Sequence, residues 1–229
     1  MFNTTRLQEF YDLISVESGI DTYEFFSQFD ALFLAERSQQ DLDDYRLGRK
    51  PWKKLRDEVS PVSRFLRYAE ISSAQVRFPL NDKAPDCWLV TSDGGSYGIE
   101  VTIARGRERY HRTTEMIEKG LGRGFIGIQD DEPQESFTNR MSKPRLAYSS
   151  EQALKTTKLG ILRCLSRKND YAKYGDIFYL IIETDLNLLP HERWLPIIDE
   201  LSNAAHNLPF CEIHVIGDSE TTPKGFRIK

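Results

Sequence analysis

Cysteine is scarce in this chain: Cys87, Cys164 and Cys211 are the only three in 229 residues, and none sits in a Cys-x-x-Cys spacing. That excludes a disulfide scaffold and a cysteine-built zinc site. It leaves the three as small core residues of a reducing compartment, with a cytoplasmic location expected. Histidine is as sparse, four residues without paired-ligand spacing, so no zinc centre is expected. No apolar run reaches the length of a membrane span, and the acid-containing amphipathic start does not read as a signal peptide. A membrane partner is therefore not expected. Repeats and low-complexity tracts are missing as well.

Net positive charge is also lacking, at −4 overall, yet the charges are segregated. Residues 8–44 hold ten acids against Arg37, residues 46–68 hold eight Lys/Arg against two acids, and residues 140–173 hold nine against two. A basic face on an acidic protein is thus available to phosphate, which responds to the local field rather than to net charge. Lys143 and Arg145 belong to the second basic run.

With 39% hydrophobic and 29% charged residues, the chain can bury a full core. Two helices are expected over 4–14 and 22–36, the second carrying Phe25, Phe26, Phe29, Leu32 and Phe33 on one stripe. Residues 37–48 are polar and read as a loop or frayed helix end. A short basic helix is expected over 52–59. Ser60-Pro61 then caps and opens a helix to about Glu70. Strands are expected at 74–80, 176–184 and 210–216, and helices at 110–119, 150–168 and 191–206. Residues 128–145, without periodicity, read as a long loop. The β-α-β-α-β order of the second half implies parallel strands with helical crossovers. The fold expected is α/β, a mixed central sheet flanked by helices. A helical N-terminal extension (1–59) precedes the α/β core (60–229).

Residues 84–103 carry the chemistry. Pro85-Asp86 opens an apolar run, Asp93-Gly94-Gly95 makes a turn, and a second strand holds Glu100 between Ile99 and Val101. A hairpin sets its strands side by side, so Asp86 and Glu100 converge, and period-2 alternation sends Glu100 and Thr102 to one face. Two carboxylates on rigid strands suit a hard divalent cation, Mg²⁺ or Mn²⁺, and point to hydrolysis of a phosphodiester. The loop after Ile103 brings Arg105, Arg107, Arg109 and Arg112, a composition suited to a phosphate backbone. His111 lies within it. Glu183 and Asp185, ending a central strand, form a second acidic candidate.

Pro85-Asp86, the hairpin, and Glu100-Val101 resemble the PD-(D/E)XK nuclease superfamily, the restriction-endonuclease-like fold, over roughly residues 60–217. The motif lysine is replaced by Thr102. In that superfamily the lysine steadies the attacking water and can move to a neighbouring helix. On helix 150–168 the stripe Leu154, Ile161, Leu162, Leu165 contains Lys158, with Lys155 at its edge, and these are the candidates for the displaced lysine. The resemblance further implies a metal held by Asp86, Glu100 and the Val101 carbonyl, an extra acid from the preceding helix at Glu70, DNA rather than RNA as substrate, and pairing as a homodimer. The activity expected is a metal-dependent endonuclease. The alternatives are a catalytically inactive nucleic-acid-binding module of the same fold, or a protein-interaction or inhibitor factor using the acidic N-terminal helices.

Overall fold

The computed structural model describes residues 4–120, 124–143, 148–219 and 224–229. Its centre is one sheet of seven strands in chain order: β1 (Ile20–Asp21), β2 (Ala74–Arg77), β3 (Cys87–Thr91), β4 (Ser96–Ile103), β5 (Phe178–Thr184), β6 (Glu212–Gly217) and β7 (Gly225–Arg227). β1 to β4 pair antiparallel, β4–β5–β6 pair parallel, and β7 returns antiparallel. The chain is thus α/β with a mixed sheet, and the parallel half is built by helical crossovers as its apolar strands require.

Alternation along the strands divides the core in two. Val76, Cys87, Leu89, Ile99, Val101 and Ile181 face one cluster. It is completed by α1 (Thr4–Ile14), α2 (Thr22–Leu34) and α4 (Ser60–Tyr68). Leu180, Ile182, Ile213 and Val215 face the other, completed by α7 (Ser150–Arg167) and α8 (Leu195–Ala205). The Phe stripe of residues 25–33 is packing: Phe25 stacks on Phe78 at 5.4 Å and meets Phe10 at 6.2 Å. No helix among the described residues is long and apolar enough to cross a membrane.

Several elements depart from expectation. Residues 39–47 are a helix, α3 (Gln39–Leu47), rather than a loop. The Ser38 hydroxyl accepts from Asp41 N–H, Gly48 ends it at φ 63°, and Gln39–Asp43 and Gln40–Asp44 pairs brace its surface. Only Leu47 is buried, so no apolar stripe advertises it. α5 (Gly106–Lys119) starts earlier than periodicity suggests. α6 (Gln134–Ser142) lies inside the expected loop and buries Phe137 alone. Ser60 does not cap a new helix, because a π-helical turn, Leu55–Val59, runs straight into α4. The wider turn accommodates Pro61, whose ring and missing N–H disfavour a regular helix interior. The edge strands β1 and β7, two and three residues long, are too short to leave a pattern.

Candidate active site

The hairpin sets the first carboxylate. Cys87 pairs with Ile99, so Asp86 extends the register opposite Glu100. Asp86 N–H donates to the Ile99 carbonyl at 3.0 Å, and its carboxylate accepts from Val101 N–H at 2.8 Å. Even-numbered residues of β4 exchange backbone bonds with β5: Gly98 N–H reaches Ile177 and Ala104 N–H reaches Glu183. Val101 consequently turns its own N–H and carbonyl toward the β3 edge, the edge Asp86 occupies. Glu100 points to the α7 face and is 5% exposed.

One oxygen of Glu100 is heavily engaged. Oε1 accepts from Lys168 Nζ at 2.7 Å and from the Tyr174 hydroxyl at 2.9 Å, with Lys173 Nζ at 3.5 Å. The other, Oε2, is buried without a hydrogen-bond partner. Glu58, from the π-helical turn, repeats the arrangement: Oε1 accepts from Lys54 at 3.1 Å, and Oε2 is buried and unpartnered. Burial and the nearby carboxylates of Glu100 and Glu58 push Asp86 up to about 7, against the pull of the Val101 N–H and Lys168.

Glu100 Oε2 and Glu58 Oε2 are thus hard oxygen donors left without a hydrogen-bond partner. No three His, Cys, Asp or Glu side chains are placed to hold a metal among the described residues. Asp86, Glu100 and the Val101 carbonyl are the oxygens that would be offered to a cation there. That fits Mg²⁺, which binds through one or two carboxylates and keeps several waters for exchange with substrate oxygens.

Thr102 has a packing reason. α7 packs on β5 with small residues, Ala153, Thr157, Gly160 and Cys164, among its buried positions, and the Thr102 hydroxyl of the neighbouring β4 points at Cys164 Sγ, 3.8 Å away. A lysine at 102 would drive its stem into that helix. The ammonium comes instead from Lys168, the residue that ends α7. Lys158 is a correction: its ammonium pairs with Glu200 on α8 at 2.7 Å. It precedes Lys168 by ten residues, about 15 Å along the axis. Lys155 is exposed on the same outer flank. Glu70 is a second correction. It is exposed at φ 55° beyond the end of α4, whose Tyr68 ring abuts Gly225 of β7. The acid that the preceding helical segment brings to Asp86 is Glu58.

The arginines expected in a loop lie at the start of α5, with Arg105 as its N-cap, and are engaged by partners within the protein. Arg105 is 4% exposed and ion-paired to Glu108, which also accepts from the N–H groups of Ile126 and Ile128. Arg107 donates to the Glu132 carbonyl and Gln134 and stacks over Phe137 at 4.1 Å. Arg109 binds Glu183, and Arg112 binds Asp185 at 3.1 Å. None of the four is presented as a free phosphate clamp. His111 packs against Phe137 at 4.3 Å, and burial lowers its pKa. Lys143 is exposed after α6; Arg145 lies outside the described residues.

Glu183, fully buried, lies between Arg64 and Arg109 on the opposite face of the sheet from Glu100. With Asp185 and Asp218 it lines a cavity of about 30 Å³ at the C-terminal ends of the parallel strands. Both Glu183 oxygens are already paired with arginines, and Asp185 is paired with Arg112 through one oxygen, so the charge of this second acidic candidate is largely matched within the protein.

No family model, no curated protein and no solved structure matches this chain.

Proposed function

We propose that this protein is a metal-dependent nuclease that hydrolyses phosphodiester bonds, with DNA as the expected substrate and Asp86 and Glu100 as the metal-holding carboxylates. The observation that carries the reading is Lys168 Nζ on Glu100 Oε1 beside Asp86. The ammonium that Thr102 does not supply reaches the carboxylates from the end of α7.

A bound Mg²⁺ or Mn²⁺ would lower the pKa of a water and offset charge on the phosphate. The protein's part is positional. Tyr174 and Lys173 hold Glu100 Oε1, which keeps Oε2 directed away from them. Lys168, in salt contact with the same oxygen, presents N–H donors beside the place where negative charge would grow during attack. Asp86 is fixed by the Val101 N–H, so neither carboxylate has to reorganise.

The test is cleavage of labelled single- and double-stranded DNA and RNA with Mg²⁺, Mn²⁺ or EDTA, using wild type, Asp86→Asn, Glu100→Gln and Lys168→Ala. Metal-dependent cutting lost in both carboxylate variants is the expected result. Failure to cut any substrate, with nucleic-acid binding unchanged in every variant, would overturn hydrolysis and favour a binding module of the same architecture.

A further inference from the structure

The sheet face that carries Asp86 and Glu100 is covered only in part. α7 and α8 cover β4, β5 and β6. On the β2–β3 half of that face stand Gln75, Arg77, Trp88 and Val90, because Ala74, Val76, Cys87 and Leu89 alternate into the opposite core. Gln75 and Val90 are exposed, and Arg77 and Trp88 are half-buried. A groove runs along this half-sheet.

Three features distinguish it from an ordinary solvated strand pair. Trp88 follows Asp86 by two residues on the same strand face, so the indole lies about 7 Å along the strand from the carboxylate. An aromatic path then joins groove to site: Trp88 meets Phe178 at 6.3 Å, Phe178 meets Tyr174 at 5.7 Å, and the Tyr174 hydroxyl donates to Glu100. Gly98 makes this packing possible, since a Cβ there would sit 2.9 Å from the Phe178 ring and 3.1 Å from Pro85 Cβ. Last, Arg77 pairs with Trp88 across the strands, and its guanidinium has no hydrogen-bonded or ion-paired side-chain partner among the described residues. An arginine whose guanidinium is not ion-paired, beside a half-exposed indole, suits a stacked base next to its phosphate, with Glu17 the one acid lining the same groove among the described residues.

We infer that the open β2–β3 half-sheet is a single-strand nucleic-acid platform, on which Trp88 stacks a base and Arg77 holds a phosphate as the strand passes to Asp86 and Glu100. This rests on the nuclease reading and narrows its substrate to single-stranded nucleic acid or the frayed end of a duplex. A paired base has its faces covered by its neighbours and offers Trp88 nothing to stack on.

The protein carries its own reporter. Trp52 and Trp194 are each 1% exposed in separate cores, so quenching of intrinsic fluorescence by a ligand reads Trp88. The experiment titrates the full chain, in EDTA to stop turnover, with a short oligothymidylate and with a duplex of equal length. The expected result is quenching by the single strand, with binding about tenfold weaker in Trp88→Ala and largely kept in Trp88→Phe. In Arg77→Ala, the slope of log affinity against log salt should fall by about one. Circular dichroism checks that each variant folds. Equal binding of duplex and single strand, indifferent to Trp88→Ala, overturns the platform. So does self-association abolished by that substitution without nucleic-acid binding, which assigns the face to a second copy of the chain. Failure of the two readings can be told apart. Trp88-dependent binding without metal-dependent cutting sinks hydrolysis alone. Duplex cutting at wild-type rate by Trp88→Ala sinks the platform alone.

Discussion

Lys168 Nζ lies 2.7 Å from Glu100 Oε1 although 68 residues separate them in the chain. The contact joins the end of α7 to the middle of β4 and puts a cation beside two carboxylates that the hairpin register sets side by side.

Replacing Lys168 by Ala is expected to lower single-turnover cleavage by about a hundredfold or more, the scale of losing one preorganised transition-state donor. Lys158→Ala is the control. Its partner Glu200 is largely exposed, and such pairs contribute roughly 0–1 kcal/mol, so cleavage should stay within about twofold of wild type. Equal losses in the two variants would remove Lys168 from its assigned place.

The raised pKa of Asp86, about 7, sets a pH dependence for the metal-free protein. Between the unfolded value near 4 and about 7, the folded state holds a proton that the unfolded state has released. Stability therefore falls as pH rises through that window, and the full penalty stands above it. Asp86→Asn keeps an oxygen for the Val101 N–H and abolishes the titration. It should be near neutral at pH 4 and stabilising by about 1–3 kcal/mol at pH 8, by urea denaturation in EDTA. A variant less stable than wild type at pH 8 would contradict this.

Mg²⁺ should raise the melting temperature at pH 8 and do so less at pH 5, where protons compete for Asp86. At a concentration about 100 times its Kd, the gain is about 2.7 kcal/mol. Glu100→Gln should remove the shift. A shift that survives the substitution would move the cation to another site.

Glu183→Gln should destabilise the fold by about 3–5 kcal/mol, because it strips Arg64 and Arg109 of a buried counter-charge. Guanidinium denaturation measures this. A cost below about 1 kcal/mol would mean that Asp185 and Asp218, on the same cavity wall, take over the pairing.

Much of this architecture was legible in local chemistry. The turn residues 93–95 and strand alternation placed the hairpin, and the helical spacing of Leu154, Ile161, Leu162 and Leu165 placed α7, whose start the structure shows closed by a Ser149–Gln152 capping box. Helices without a stripe, α3 and α6, were not legible, since periodicity reports burial and each buries a single residue. The site was half legible. Leucines of α7 pointed to Lys158, but the buried face of the helix is Ile161 and Leu165 together with the small residues Ala153, Thr157, Gly160 and Cys164, and Lys158 lies off it, paired to α8. Small side chains, which let a helix come close, carry a weaker hydrophobic signal than leucine. A topological argument finds the lysine that meets Glu100: a crossover between parallel strands runs antiparallel to them, so its last turn returns toward the early part of β4. Lys168, not Lys158, occupies that turn. Glu58 was hidden by its setting in a π-helical turn that no residue pattern marks.

The shared core of α1, α2 and the sheet decides what the first 59 residues are for. Phe10, Phe25 and Phe29 lie against Phe78 and Val76, and the Tyr11 hydroxyl accepts from Leu55 N–H while donating to the Pro51 carbonyl. β1 also shields the outer edge of β2. A chain begun at residue 60 would bare an aromatic slab and an open strand edge together, the combination that recruits other chains into aggregates. Such a fragment is expected in the insoluble fraction on expression. The segment is part of the wall that closes the core, not an accessory set beside it.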